Sequence, residues 1–493
     1  MTEREAALEA ELKEARLKIR LLEGKVDALV RMIYGPRSER IDPNQLFLLE
    51  GSTKKAEAPA AAEPAAGAGK ARARRQASGP RLPDHLPVEE TVLDPEEVRA
   101  APQAWRLMGE EVSEQLDYEP ARFLKKRLVR RKYVRRDSPL SVPVIAPLPA
   151  TLQERCLATP RLIAQVLVSK FADHVPLYRQ EQIYRRRHHV TIPRQTLCRW
   201  VSLAAQWLEP VYNEMKRQQQ ARSYLQIDET PIRYLEPGRG HAPQGYYWVT
   251  SVPGGDVIYH WHPSRAADCI GSVVTPAFSG TLQCDGYQAY TSFQRQRAGP
   301  VRLAGCWAHV RRKFFEAKDR DPVVAAWILG QIGHLYGIER HLRAIGAGPA
   351  LREAVRRAQS APLVVRIRKA LFALKPRYLP QSGLGKAIAY ALSQYKGLEI
   401  FLDDGHLEID NNLVENAIRP TKLGAKNWLF IGAEGSGKTS AILYTIVESA
   451  KRHGLEPYSY LLHLLNALPG STNRQVPALT PAACARHPQR HAA

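Results

Sequence analysis

At residue 223 the hydrophobic pattern of the chain changes from a helical period to a strand-like period. The segments "SYLQIDETPIRYL", "QGYYWVTSV" and "DVIYHWHP" are rich in β-branched and aromatic residues and are separated by Gly and Pro turns. A helix-like stretch over 264–278 precedes a fourth such segment, "GTLQCDGYQAY". The order strand, strand, strand, helix, strand predicts an α/β domain with a mixed sheet and a helix packed against it.

Two carboxylates close apolar strands in this pattern, Asp228 in "LQIDET" and Asp285 in "LQCDGY". A charge at the end of a buried strand is unfavourable unless it is paired or binds a cation. Either residue alone is more typical of a strand-end turn. Two of them in adjacent strands of one sheet indicate a shared site.

A third carboxylate, Glu415, lies in "DNNLVENAIRP", where Asp410 is expected to cap a helix that runs to about Pro420. Three carboxylates on two strands and a helix can bind two Mg²⁺ ions ~3.5–4 Å apart and support phosphodiester chemistry. Spacing alone leaves Glu229, Glu408 and Asp410 open as alternative ligands.

The composition indicates a polyanionic partner. The 493 residues include 71 Lys and Arg against 49 Asp and Glu, a formal net charge of +22. Neutralising phosphates releases condensed counterions, so nucleic acid is the expected partner. Six scattered cysteines without a C-x-x-C pair argue against a disulfide framework or a zinc ribbon. The charged start, and the lack of any run of 18 apolar residues, predict a cytoplasmic protein without a membrane segment.

Two helical patterns precede the strands. Apolar residues alternate at spacings of four and three from Leu8 to Ile33, which predicts a coiled coil and, through it, a homo-oligomer. Further along, "HHVTIPRQTLCRWV" predicts a turn and a helix that exposes Arg194, Gln195 and Arg199. A helix-turn-helix that reads base edges and an ordinary helical hairpin both fit this second pattern.

The segment "GAEGSGKTSA" matches the phosphate-binding loop G-x-x-x-x-G-K-[ST] through Gly432, Gly437, Lys438 and Thr439. Too few residues follow Thr439 to build the parallel strands of a nucleotide-binding sheet, and no apolar strand ending in Asp follows to hold Mg²⁺. ATP binding is therefore not expected, although a P-loop ATPase with a helper function remains an alternative.

Seven motifs in one order carry a family resemblance: "YGPRSER", "GEEVSEQLDYEPARF", "IDETPI", "CDGYQAY", "CWAHVRRKFFEA", "DNNLVENAIRP" and "ESAKRHGLEPYSYLLHLL". Together they resemble the insertion-sequence-66 family of bacterial transposases. The resemblance implies a ribonuclease-H-like fold with a DDE triad, which falls on Asp228, Asp285 and Glu415. It also implies Mg²⁺ or Mn²⁺ as cofactor, cleavage of DNA at the element's ends, and strand transfer into target DNA.

The same resemblance implies partners and a domain order for the whole chain. A DNA-binding derivative without catalysis is a further alternative, and accessory proteins encoded by the same element are possible partners. The expected domains are a coiled coil (1–40), a flexible basic linker (41–85), a small module (86–150), a helical region (155–220), a catalytic domain (221–450) with a helical insertion at about 310–405, and a C-terminal element and tail (451–493).

Several basic residues near the candidate triad are expected to contact DNA phosphates, while Trp428 fits either a stacked base or the core. The small module matches a region that binds zinc in the family, but no Cys precedes Cys156, so zinc is not expected. Cys306 and His309 form a C-x-x-H feature for which we favour a structural role. The expected DNA contacts beside them and after Glu415 are Arg311, Arg312, Lys313, Arg419, Lys422 and Lys426.

Overall fold

The computed structural model describes residues 122–126, 132–133, 144–145, 149–154, 156–236, 238–297, 299–319 and 321–486. These residues belong to a mixed α/β unit with a helical majority. Within them, no helix combines the length and the apolar character needed to cross a membrane. The predicted coiled coil, the linker and most of the small module lie outside the described residues.

A mixed sheet forms the centre of the described unit. Its strand order is β5-β4-β3-β6-β7, in which β4 is antiparallel to both β3 and β5, while β6 and β7 run parallel to β3. A short strand, β8, pairs in parallel with the far end of β3, and a separate two-stranded pair, β1 and β2, lies earlier in the chain. The strands are β1 (Lys132–Tyr133), β2 (Val144–Ile145), β3 (Tyr224–Leu235), β4 (Gln244–Ser251), β5 (Val257–His262), β6 (Gly280–Gln283), β7 (Val301–Ala304) and β8 (Ile431–Ala433).

Helices cover both faces of this sheet. One core lies between the sheet and the two helices that follow β5 and β6, while a second core contains the N-terminal and C-terminal helices. The helices outside the insertion are α1 (Pro160–Phe171), α2 (Leu177–His188), α3 (Arg194–Gln220), α4 (Ala267–Val273), α5 (Gln288–Gln296), α12 (Asn412–Trp428), α13 (Gly435–Arg452), α14 (Pro457–Ala467) and α15 (Pro481–Arg486).

Between β7 and α12 the chain is helical and has a core of its own. A π-helical turn at Arg356–Ser360 joins two of these helices and buries the Arg356 side chain completely. The helices here are α6 (Trp307–Glu316), α7 (Pro322–Ala344), α8 (Pro349–Val355), α9 (Ala361–Leu374), α10 (Gly383–Ser393) and α11 (Tyr395–Glu399).

The structure corrects three details of the sequence prediction. Asp228 is the fifth residue of β3 and does not end the strand, because the second half of β3 continues to pair with β4. The helix that carries Glu415 continues past Pro420 to Trp428, since its apolar face packs against β3 and β4. The strand β7 was not predicted, because only Val301 and Ala304 of its four residues are buried.

Candidate active site

The pairing of β3 with β6 places Asp228 and Asp285 side by side. Gln226 lies opposite Gln283 in this parallel pair, and each aspartate follows its glutamine by two residues. Successive side chains of a strand point to opposite faces, so Asp228 shares the face of Gln226. Asp285 follows the end of β6 at the same level of the sheet.

The helix α12 brings Glu415 to this edge. Arg452 donates to the backbone carbonyl of Leu413 at 3.1 Å and holds the first turn of the helix. The Glu415 carboxylate lies 3.5 Å from Arg312 and 3.6 Å from His309, and its buried Oε1 has no hydrogen-bond partner. This orphaned oxygen makes Glu415 available to a ligand.

The three carboxyls interact electrostatically. Burial first, and then repulsion from Glu229, Glu415 and Asp285, together raise the pKa of the Asp228 carboxyl to about 8. Asp228 and Asp285 each accept one short backbone hydrogen bond, at 2.9 Å, from a residue close to them in sequence. The cluster therefore holds more negative charge than its protein neighbours compensate.

Glu229, one of the three alternative ligands, faces away from this cluster. It lies on the opposite face of β3, where its side chain is 2% exposed. Arg265 donates to it at 2.7 Å and Tyr290 donates to it at 2.6 Å. Although burial raises the pKa of Glu229, these two donors occupy its carboxylate oxygens.

The other two alternatives are also engaged by protein groups. Glu408 forms ion pairs with Arg343 at 2.9 Å and with Arg352 at 3.0 Å. Asp410 accepts hydrogen bonds from Tyr336 at 2.8 Å and from the Asn412 side chain at 2.9 Å. Its other oxygen accepts the Asn412 backbone N–H, but the N-cap of α12 is Asn411, so the predicted cap at Asp410 is wrong by one residue. These contacts favour Asp228, Asp285 and Glu415 as the ligand set.

A buried polar network, formed by Tyr224, Gln226 and Gln283, connects the sheet to the segment before α12. Gln226 Nε2 donates to the Asp410 carbonyl at 2.9 Å, and Gln283 Nε2 donates to the Glu408 carbonyl at 2.8 Å. The two glutamines also bond to each other at 3.0 Å. Sequence reasoning missed this network, although the repeated Leu-Gln pair two residues before each aspartate was a signal of it.

We expect Gln283→Leu to destabilise the protein by about 2–4 kcal/mol, because the Glu408 and Gly305 carbonyls would lose a buried donor. Urea unfolding followed by circular dichroism measures this loss. The control is Gln296→Leu, at an exposed position of α5, which should change stability by less than about 0.5 kcal/mol. Equal effects of the two substitutions would contradict the role given to the network.

The chemistry of Asp228, Asp285 and Glu415 fits a divalent cation, while the ligand atoms that all lie within 4.8 Å of one another in the described residues are those of Cys306, His309 and Glu415. The donors of the three carboxyls are oxygens, which Mg²⁺ and Mn²⁺ prefer, and a cation would relieve the charge that raises the Asp228 pKa. Burial raises the pKa of the Cys306 thiol, so a metal ion would have to displace its proton to bind there. A structural role for this pair stays our prediction.

Cation binding should depend on pH. With a pKa of about 8, Asp228 must lose a proton when a cation binds below that pH, so we expect Mg²⁺ affinity to weaken by up to about tenfold per unit below pH 8. Calorimetry in buffers of different ionisation enthalpy should detect about one proton released at pH 6.5 and almost none above pH 9. Asp228→Asn should abolish this release.

The raised pKa of Asp228 also makes the stability of the metal-free protein depend on pH. The folded-state pKa of Asp228 lies above its ordinary value of 3.8, so the folded state binds the extra proton between the two values. This contribution to stability is complete below pH 4 and disappears as the pH rises through about 8. A melting temperature independent of pH in this window would contradict the assignment.

Two groups of predicted DNA contacts lie at the surface. Arg194, Gln195 and Arg199 are exposed in the first two turns of α3, which follows α2 after a short connection, while Leu197 and Val201 are buried as expected. The second group follows Glu415 along α12 or lies on α6. In this group Arg312, Lys313, Arg419 and Lys426 are exposed, and Arg311 and Lys422 are half-buried.

The last turn of α2 adds basic residues that the sequence prediction omitted. Arg185, Arg186 and Arg187 are all exposed there. The run "RRRHH" was a visible signal, but an unbroken charge run on a helix is usually a solvated face. Its neighbour α3 carries Arg194 and Arg199, so the two helices present cations on adjoining elements.

The segment that matched a phosphate-binding loop is helical from Gly435 onward. A Cβ at Gly437 would lie 2.2 Å from the Trp261 ring, so close packing accounts for this glycine. Lys438 forms an ion pair with Glu209 at 2.6 Å. Trp428 is half-buried against the core, with Lys170 5.8 Å from its ring centre, which favours the core alternative.

Most of the chain matches sequence models of transposases. Residues 155–439 match the sequence model described as "Transposase IS66 family", residues 21–91 match "Transposase C of IS166 homeodomain", and residues 445–482 match "IS66 C-terminal element". The uncharacterized protein y4jD of Sinorhizobium fredii is 35% identical over 93% of this chain and 94% of its own length. The uncharacterized protein y4qI of the same organism is 35% identical over 97% of this chain and 91% of its own length. The chain belongs to the IS66 transposase family.

Proposed function

We propose that this transposase cuts DNA at the ends of its insertion sequence and joins those ends to target DNA by a DDE mechanism. The observation that supports the proposal is the parallel β3–β6 register, which brings Asp228 and Asp285 to one level of the sheet, together with the repulsion that Glu415 on α12 exerts on Asp228. Family membership supports DNA as the substrate. The net charge of +22 favours the same partner.

The proposed catalytic domain has a ribonuclease-H-like fold. In support, three antiparallel strands are followed by two strands parallel to β3, in the order β5-β4-β3-β6-β7. The helices between β7 and α12 correspond to an insertion that precedes α12, the helix that carries Glu415. We propose the domain boundaries, the N-terminal coiled coil and its homo-oligomer on the sequence pattern alone.

Asp228, Asp285 and Glu415 would hold the Mg²⁺ or Mn²⁺ ions. When bound, these ions activate an attacking hydroxyl and stabilise the leaving oxygen at phosphorus. The side chains contribute orientation: the network of Tyr224, Gln226 and Gln283 fixes the start of α12 against the sheet. The Asp228 carboxyl releases its proton when it becomes a ligand.

Basic side chains around the cluster would bind and orient the DNA backbone. Arg312 lies beside Glu415 and is more than half exposed, so it can reach a phosphate next to the scissile bond. Arg419 and Lys426 continue along α12. Arg194, Gln195 and Arg199 are proposed to contact the terminal inverted repeats from α3, with other proteins of the element as possible helpers.

An end-cleavage and strand-transfer assay tests the proposal. Purified protein, Mg²⁺ and DNA carrying the element's two flanking ends should yield nicks at the ends and joined products with a target plasmid. Products should disappear with EDTA and return with Mn²⁺. Tight binding to the ends without cleavage in either metal would contradict the catalytic proposal and favour a DNA-binding derivative.

A further inference from the structure

The helix α12 ends in an unusual turn. The Leu429 N–H donates to the Ala425 carbonyl at 2.7 Å and closes the helix, and the Phe430 N–H then donates to the Trp428 carbonyl at 2.7 Å. Leu429, the central residue, has φ 63° and ψ −42°. This is a γ-turn of the rare, strained hand, which a leucine side chain makes less favourable still.

The turn also exposes apolar surface. Leu429 is 70% exposed and Phe430 is 40% exposed, whereas the preceding Trp428 packs against the core. Strain and exposed apolar area are both unfavourable in the free protein. Strained backbone of this kind is concentrated at ligand sites.

Basic residues next to the turn indicate a nucleic-acid ligand. Glu415, Arg419, Lys422 and Lys426 follow one another at spacings of four, three and four residues, so they share one face of α12. Arg179 adds a cation at the end of the helix through its 3.4 Å hydrogen bond to Asn427. A basic stripe that ends in an apolar tip suits nucleic acid, whose phosphates and bases alternate between charged and apolar surface.

We propose that Leu429 and Phe430 form an apolar wedge that packs against unstacked bases of the bound DNA. The proposal rests on the proposed function and extends it to a specific contact. The rise of 1.5 Å per residue places the wedge about 20 Å from Glu415 along α12, or about six base steps of duplex DNA. Leucine and phenylalanine are side chains that wedge between base steps in other DNA complexes.

Binding to two DNA duplexes that differ only in pairing tests the wedge. One duplex is fully paired, and the other carries a three-nucleotide mismatch bubble with a 2-aminopurine. In EDTA, the wild-type protein should bind the bubble about tenfold more tightly and change the 2-aminopurine fluorescence. Leu429→Gly and Phe430→Ser should reduce this preference to about twofold or less while binding to paired DNA is kept.

Folding controls separate the wedge from a general loss of structure. Glycine adopts positive φ freely, so Leu429→Gly should melt at the wild-type temperature or above it. Leu379→Ser removes a leucine that is 79% exposed in the insertion and should leave both affinities unchanged. Lys426→Ala should weaken binding to both duplexes equally and reduce the salt dependence.

Two results would contradict the wedge. One is a bubble preference that stays unchanged in both variants. The other is a change in the sedimentation behaviour of the variants alone, which would indicate that the turn is a protein interface. Cleavage of element ends is scored separately. If the variants cleave normally and keep the bubble preference, only the wedge proposal is wrong. If bubble binding depends on the wedge but the protein never cleaves, only the proposed transposase activity is wrong.

Discussion

Asp228→Asn, Asp285→Asn and Glu415→Gln should each lower end cleavage and strand transfer by roughly 10²- to 10⁴-fold. A bound metal ion contributes several kcal/mol of charge stabilisation in the transition state, and about 1.4 kcal/mol corresponds to a tenfold change in rate. Each substitution removes a charged ligand and nearly preserves the shape of the side chain. Single-turnover cleavage of labelled end DNA measures the effect.

Folding and binding controls make this result specific to the site. Because burial already disfavours the charged form of Asp228, Asp228→Asn should melt in EDTA at the wild-type temperature or higher. Asp268→Asn and Glu434→Gln, at exposed positions outside the cluster, should retain wild-type cleavage. Wild-type activity in any one of the three site variants would show that this residue is not a ligand.

The second large effect concerns stability. Arg356→Met should destabilise the protein by about 3–5 kcal/mol, because it leaves the Glu339 carboxylate buried without its main partner. Arg356 and Glu339 are both fully buried and form two hydrogen bonds, at 2.7 and 2.8 Å. Arg356 also donates to the carbonyls of Phe401, Asp404 and Leu407. Equilibrium urea unfolding measures the loss.

A double substitution distinguishes an unpaired charge from lost packing. Arg356→Met combined with Glu339→Leu should recover part of the stability, since no buried charge then remains. Arg366→Met, at an exposed position of α9, should change stability by less than about 0.5 kcal/mol. A loss below about 1 kcal/mol for Arg356→Met would contradict a structural role for the pair.

The sequence predicted the order of the strands from β3 to β6, because short runs of β-branched residues are a local signal. It did not show that β3 continues past Asp228, and it could not rank Glu229 against Asp228 as a proposed ligand. That choice depends on which face of β3 each residue occupies, and on Arg265 and Tyr290, which lie on other elements. Side-chain partners distant in sequence decide such questions.

The end of α12 shows the same limit. Proline usually interrupts a helix, so the sequence suggested a stop near Pro420. Packing of Val414, Ile418 and other buried residues against the sheet carries the helix to Trp428. The strained turn at Leu429 has no local signature, since leucine is not a residue expected at positive φ.

The hydrogen bond between Gln226 and the Asp410 carbonyl spans 184 residues of chain. A ribosome adds about 5–20 residues per second, so roughly 10–40 s separate the synthesis of the first aspartate's strand from that of the Glu helix. For most of this interval a nascent chain holds both aspartates but lacks Glu415. An incomplete polypeptide therefore lacks one of the three proposed metal ligands.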